Sequence, residues 1–114
     1  MSLMHEELNV PEIAILLKCG SDTVRRYFRY KVFHPHAVDS DGRSYLSYKG
    51  SVLVRATALR RLRACCSSLN KLGAAFYLVS GSEDKFILNL LKTTDDLEQV
   101  SELFIEKVRE HIKK

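Results

Sequence analysis

Arg25, Arg26 and Arg29 stand within one stretch of five residues, with Tyr27 inside it and Tyr30 just after it. A guanidinium is a planar fork of N–H donors that keeps its charge at any physiological pH. It matches the two oxygens of a phosphate, or the O6 and N7 edge of a guanine. An arginine on a base edge discriminates between sequences by roughly 1–3 kcal/mol. One on a phosphate adds affinity that falls with salt and carries no sequence information. Residue types alone do not say which of the three plays which part. The chemistry they suggest is recognition of a polyanion rather than the making or breaking of bonds. The patterns that bond-making would need are missing: there is no phosphate-cradling glycine loop, no nucleophile elbow and no HExxH pair. Asp95-Asp96 is a pair of carboxylates, and the positive end of a helix accounts for it. The chain is therefore not expected to be an enzyme, and no cofactor is expected.

The charge distribution supports that reading. Residues 18–63 carry 11 Lys and Arg against 3 Asp and Glu, whereas residues 1–17 carry 3 acids and no base. Residues 64–114 hold 7 bases and 8 acids, so the whole basic excess lies in one segment. A uniformly solvated surface has no need of such segregation, but a face built for a polyanion does. The chain has 114 residues, enough for one modest core, and no apolar run approaches the length that spans a bilayer. No secretory signal is visible, and the expected location is cytoplasmic.

The arginines need elements to position them. Asn9 and Glu12 form an N-x-x-E capping box, and Pro11 suits a first turn. Ile13, Leu16 and Leu17 give that helix its buried face. Gly20 is expected to end it, and Ser21 or Asp22 to cap the next. Val24 and Phe28, four apart, turn inward and leave Arg25, Arg26 and Arg29 on the other faces. Tyr27 and Tyr30 suit either the edge of the core or a contact with the polyanion. Pro35 blocks continuation. Residues 36–38 and 43–46 then read as short strands around the turn Asp39-Ser40-Asp41-Gly42. The order is helix, tight turn, helix and a two-stranded wing with a basic tip, which is the outline of a winged helix-turn-helix. A helix over about 48–72 follows. Val52, Ala56, Leu59, Leu62, Cys66 and Leu69 form its stripe, Arg55, Arg60, Arg61 and Arg63 its other sides, and Gly73 its C-cap. Residues 75–79 and 85–91 read as a second β-hairpin, with a buried helix as the competing reading of the latter run. Thr94 should cap a last helix lined by Leu97, Val100, Phe104, Val108 and Ile112.

Thr23-Val24-Arg25-Arg26-Tyr27-Phe28-Arg29, followed by Val32-Phe33-His34-Pro35, resembles the recognition segment of the MerR family. That segment commonly runs Thr-Leu-Arg-Tyr-Tyr-Glu-Arg, then Gly-Leu-Leu and a proline. Asp41-Gly42-Arg43-Ser44-Tyr45 is similar to the family's wing, and Leu59-Arg60-Arg61-Leu62-Arg63 to the helix after it. The resemblance spans residues 9–72, and excisionase-type domains share its outline. It implies a winged helix-turn-helix on duplex DNA, usually dimeric on a pseudo-palindromic site. It also implies DNA contacts from Thr23, Arg25 and Tyr27, and a phosphate contact from Arg43. Ser21, Arg26, Arg29, Tyr45 and Lys49 complete the candidate set. Lys49 would work through the amides at its helix's start, and Tyr45 also suits packing under the wing. Arg26 stands where the family has an aromatic residue, Lys31 where it has glycine, and the wing is short.

The expected fold is thus α+β, mainly α: a MerR-like winged helix-turn-helix over 9–72, then a β-hairpin and C-terminal helix over 73–114 that would pair two copies. The expected function is sequence-specific binding of double-stranded DNA by a transcriptional regulator with no separate effector domain and no small-molecule effector. Two alternatives remain. One is an excisionase-type or architectural factor in recombination or replication, and the other is a MerR-like protein-interaction module. His34 and His36 share a face if extended, but with only Cys19 near in sequence no metal site is expected. Cys65 and Cys66 are adjacent and cannot easily bridge each other. They read as reduced thiols, with Cys66 in the core and a sensing role as the alternative.

Overall fold

The computed structural model describes residues 5–38, 45–81 and 83–112. Within them the chain is a mainly helical α+β fold. The elements are β1 (Glu7–Leu8), α1 (Val10–Leu17), α2 (Ser21–Arg29), β2 (Ala37–Val38), β3 (Tyr45–Tyr48), α3 (Lys49–Leu62), α4 (Leu69–Ser80), α5 (Lys85–Thr93) and α6 (Leu97–Ile112). The expected capping box opens α1: Glu12 N–H donates to Asn9 Oδ1 at 3.0 Å and Asn9 N–H to Glu12 Oε1 at 2.9 Å. Val10, Ile13 and Ala14 are buried, Leu16 and Leu17 are half-buried, and Ile15 faces out.

Both early helices close on a left-handed lysine. Lys18 (φ 56°) and Lys31 (φ 65°) occupy the region that glycine enters most readily. Cys19 N–H then reaches back to Ala14 O, and Val32 N–H to Tyr27 O. Gly20 does not end α1, contrary to expectation. It is the N-cap of α2, with φ −81° and its carbonyl accepting from Thr23 and Val24. Neither Ser21 nor Asp22 caps that helix, because both already lie within it.

β3 is the centre strand of an antiparallel sheet ordered β1-β3-β2. Ala37 pairs with Leu46 and Val38 with Tyr45, which is the expected hairpin. Its turn, with Arg43, lies outside the described residues. β1 pairs Glu7 with Tyr48 and Leu8 with Ser47, an addition the alternation of residues did not announce.

After Leu62 the structure departs from expectation. The helix expected over 48–72 is two helices. Cys65 and Cys66 N–H both turn back to Leu62 O, and Ser68 then caps α4 by accepting from Lys71 N–H at 3.3 Å. The second β-hairpin does not form. Its first run lies in α4, where Leu72, Ala75 and Phe76 are buried and Leu69 and Val79 pack against the core. Its second run is α5, with Ile87 and Leu91 buried four apart. Burial at helical spacing overrides the strand propensity of Phe76, Tyr77 and Val79. Gly73 is not a C-cap but a buried residue within α4. A Cβ there would stand 1.7 Å from Tyr30 O, so only glycine lets α4 approach the end of α2.

Asp96, rather than Thr94, heads α6, accepting from Gln99 N–H at 3.1 Å. Val100, Phe104 and Val108 are fully buried within the chain, and α6 packs on α3, α4 and α5. The stripe expected to meet a second copy therefore belongs to this chain's own core. One apolar cluster draws on every helix, and the expected boundary at 72/73 falls inside α4. No helix among the described residues is long and apolar enough to cross a membrane.

Candidate nucleic-acid interface

Helix α2 has two faces. Val24 and Phe28 are buried against the core, with Phe28 5.7 Å from Phe33, ring centre to ring centre and edge to face. The opposite face carries Arg25, Arg26 and Arg29, all exposed, with Ser21 and Thr23 half-buried near its start. Arg25 meets Asp22 at 3.1 Å, an exposed pair that competes weakly with a stronger anion. Arg26, Arg29 and Lys31 have no carboxylate partner among the described residues. Tyr27 is half-buried and stacks edge-to-face on Phe33 at 5.4 Å, which places it at the rim of the core.

The remaining candidates divide. Tyr45 is exposed, and its ring lies 5.2 Å from that of Phe28, so it adjoins α2. Lys49 begins α3 against β1, where its N–H donates to Glu6 O at 2.8 Å. Tyr48, the N-cap of α3, gives the helix no side-chain cap bond. Arg43 lies outside the described residues. Arg63, not among the candidates, joins Arg26: both line a cleft of about 330 Å³ with Tyr30, Ser67, Ser68 and Asn70, at the start of α4. Only the break between α3 and α4 reveals this. The Ser67-Ser68 pair was its one sequence signal.

Arg55 is not on the basic surface. It is 1% exposed. Its Nη2 meets Asp84 Oδ1 at 2.7 Å and its Nη1 donates to Val32 O at 3.0 Å. Its guanidinium lies 5.9 Å from the Phe76 ring and 5.8 Å from that of Phe104. The Ser51 and Ser80 hydroxyls both donate to the Asp84 carboxylate. Burial works against the Asp84 charge, but the Arg55 guanidinium and the three side-chain hydrogen bonds outweigh it. They hold the carboxyl below the ordinary aspartate range. Spacing could have found this residue, since Val52, Arg55, Leu59 and Leu62 follow one helical stripe. The bond to Val32 ties the chain just past α2 to α3, and Asp84 ties α3 to the start of α5.

His36 Nε2 lies 3.0 Å from Tyr48 Oη and 3.6 Å from Glu7 Oε2. No group of three or more His, Cys, Asp or Glu among the described residues is placed to hold a metal ion. Cys66 is half-buried against the core and Cys65 is exposed. Burial pushes the Cys19 thiol up, away from reactivity.

No protein family, curated protein sequence or solved structure matches this chain.

Proposed function

We propose that this protein binds double-stranded DNA in a sequence-specific way as a small cytoplasmic transcriptional regulator, with a MerR-like winged helix-turn-helix as its reader. The observation that carries this is α2 itself. One face is locked to the core by Val24 and Phe28, and the other presents Arg25, Arg26 and Arg29 to solvent. A helix held in this way enters a major groove without reordering its backbone. Arg26 and Arg63, in their shared cleft, suit a phosphate beside that groove. The strand pair β2 and β3 would be the wing. Two copies would pair through exposed apolar residues such as Leu78 and Leu103, not through the α6 stripe.

A second reading, an excisionase-type or architectural factor, is favoured by the burial of that stripe, which removes the face through which two copies were expected to pair. Selecting duplexes from a random pool separates the two. An inverted repeat with fixed half-site spacing is the result expected of a dimeric regulator, and direct repeats filled cooperatively support the second reading. Recovery of no preferred sequence would overturn the regulator, and no binding of duplex DNA at all would overturn both.

A further inference from the structure

A cleft of about 440 Å³ opens beside the C-terminal end of α2, between the segment leading to β2 and the Tyr77 side of α4. That volume lies in the roughly 300–1,000 Å³ range of small-molecule sites. Its exposed rings are Tyr45, tilted against the nearly buried Phe28, and Tyr77, and Phe33 lies buried behind them. Two cations stand at its mouth, Arg29 and Lys31, neither with a carboxylate partner among the described residues. Lys31 Nζ is held 5.3 Å from the centre of the Tyr77 ring. Arg55 touches the wall as well, but its charge is already met by Asp84. Its Nε is the one buried side-chain polar atom among the described residues that lacks a hydrogen-bond partner.

The neighbouring cleft gives a contrast. It shares His34 and Pro35 but is lined by Glu83 and Asp84 as well. The α2 cleft has no acid in its lining, only aromatic rings and cations around His34 and Pro35. Exposed aromatic rings favour a planar ring, and cations without a carboxylate partner favour an anion.

We propose that this cleft binds a small planar aromatic carboxylate, its ring against Phe28 and Tyr45 and its acid group between Arg29 and Lys31. Such a site needs no separate effector domain. Arg29 also belongs to the exposed face of α2, so an acid held there takes one cation away from DNA. That link rests on the DNA-binding reading, whereas the binding itself does not.

The test uses the full chain without DNA. The ¹⁵N-labelled protein is titrated with 2-naphthoate and followed by amide shifts. Saturable shifts centred on residues 28–33, Tyr45 and Tyr77 are expected. The neutral 2-naphthalenemethanol should bind about tenfold more weakly, since it lacks the charge-assisted contacts. Lys31→Asn removes one cation and tolerates the left-handed backbone, and it should weaken 2-naphthoate by about fivefold. Shifts spread over the core, no saturation at those amides, equal binding of the neutral probe, or unchanged affinity in Lys31→Asn would each overturn the proposal.

Discussion

On α2, three arginines point into solvent with at most an exposed partner. On α3, Arg55 is enclosed by two phenyl rings and bonded to Asp84 and to the Val32 carbonyl. All four come from the same basic stretch and count equally in a tally of charge. Charge segregation has one meaning on α2 and another on α3. It marks where the basic excess lies, but it does not separate charges open to solvent from charges consumed in holding the fold. Here the second kind serves the first: Arg55 and Gly73 together fix the end of α2, one by a hydrogen bond just beyond it and the other by close approach.

The largest effect is expected of Asp84→Asn. It keeps a side chain that accepts the left-handed backbone at Asp84 (φ 54°) but strands the Arg55 charge in the core. A loss of about 3–5 kcal/mol in denaturant unfolding is expected. Adding Arg55→Met should recover part of it, because the stranded charge is then gone. Acid sharpens the same point. A carboxyl held below its unfolded value adds stability that is complete above the ordinary aspartate pKa. That stability is lost as pH falls through the lower folded value. The gap between wild type and Asp84→Asn should therefore narrow in that acid window and stay constant above it.

Gly73→Ala comes next. The added methyl meets the Tyr30 carbonyl, which belongs to backbone and cannot swing away. A loss of about 1–3 kcal/mol is expected, with amide shifts transmitted to α2. A neutral substitution there would show that α4 does not buttress α2. A smaller effect on stability is a gain. Lys18→Gly, at a left-handed helix end, should stabilise the chain by about 1 kcal/mol, read from the denaturation midpoint.

Much of the first half was legible in the residues. The Asn9–Glu12 box, the inward Val24 and Phe28, and the strand pair around residues 37–46 each follow from short-range chemistry that tertiary packing leaves alone. The second half was not legible in the same way. Phe76, Tyr77 and Val79 favour strands in a short window. Their helical period becomes visible only when joined to Leu69 and Leu72, which an over-long α3 had absorbed. Reading Ser68 as a cap would have divided the two helices. Gly73 looked like a terminus because close approach to a distant carbonyl leaves no local trace. Arg55 sat on the apolar stripe all along, but its partner lies 29 residues away, across a helix not foreseen.

The exposed arginines of α2 are proposed to bind duplex DNA while the fold stands without them. The direct measurement is the affinity of Arg25→Ala and Arg29→Ala for a selected duplex at several salt concentrations, with unfolding of each variant measured alongside. Stability within about 0.5 kcal/mol of wild type is expected for these surface sites. Binding should weaken by roughly 1–3 kcal/mol where the arginine reads a base. Where it meets a phosphate, the salt slope should fall by about 0.9. Wild-type affinity and salt slope in both variants, with the fold intact, would contradict the account.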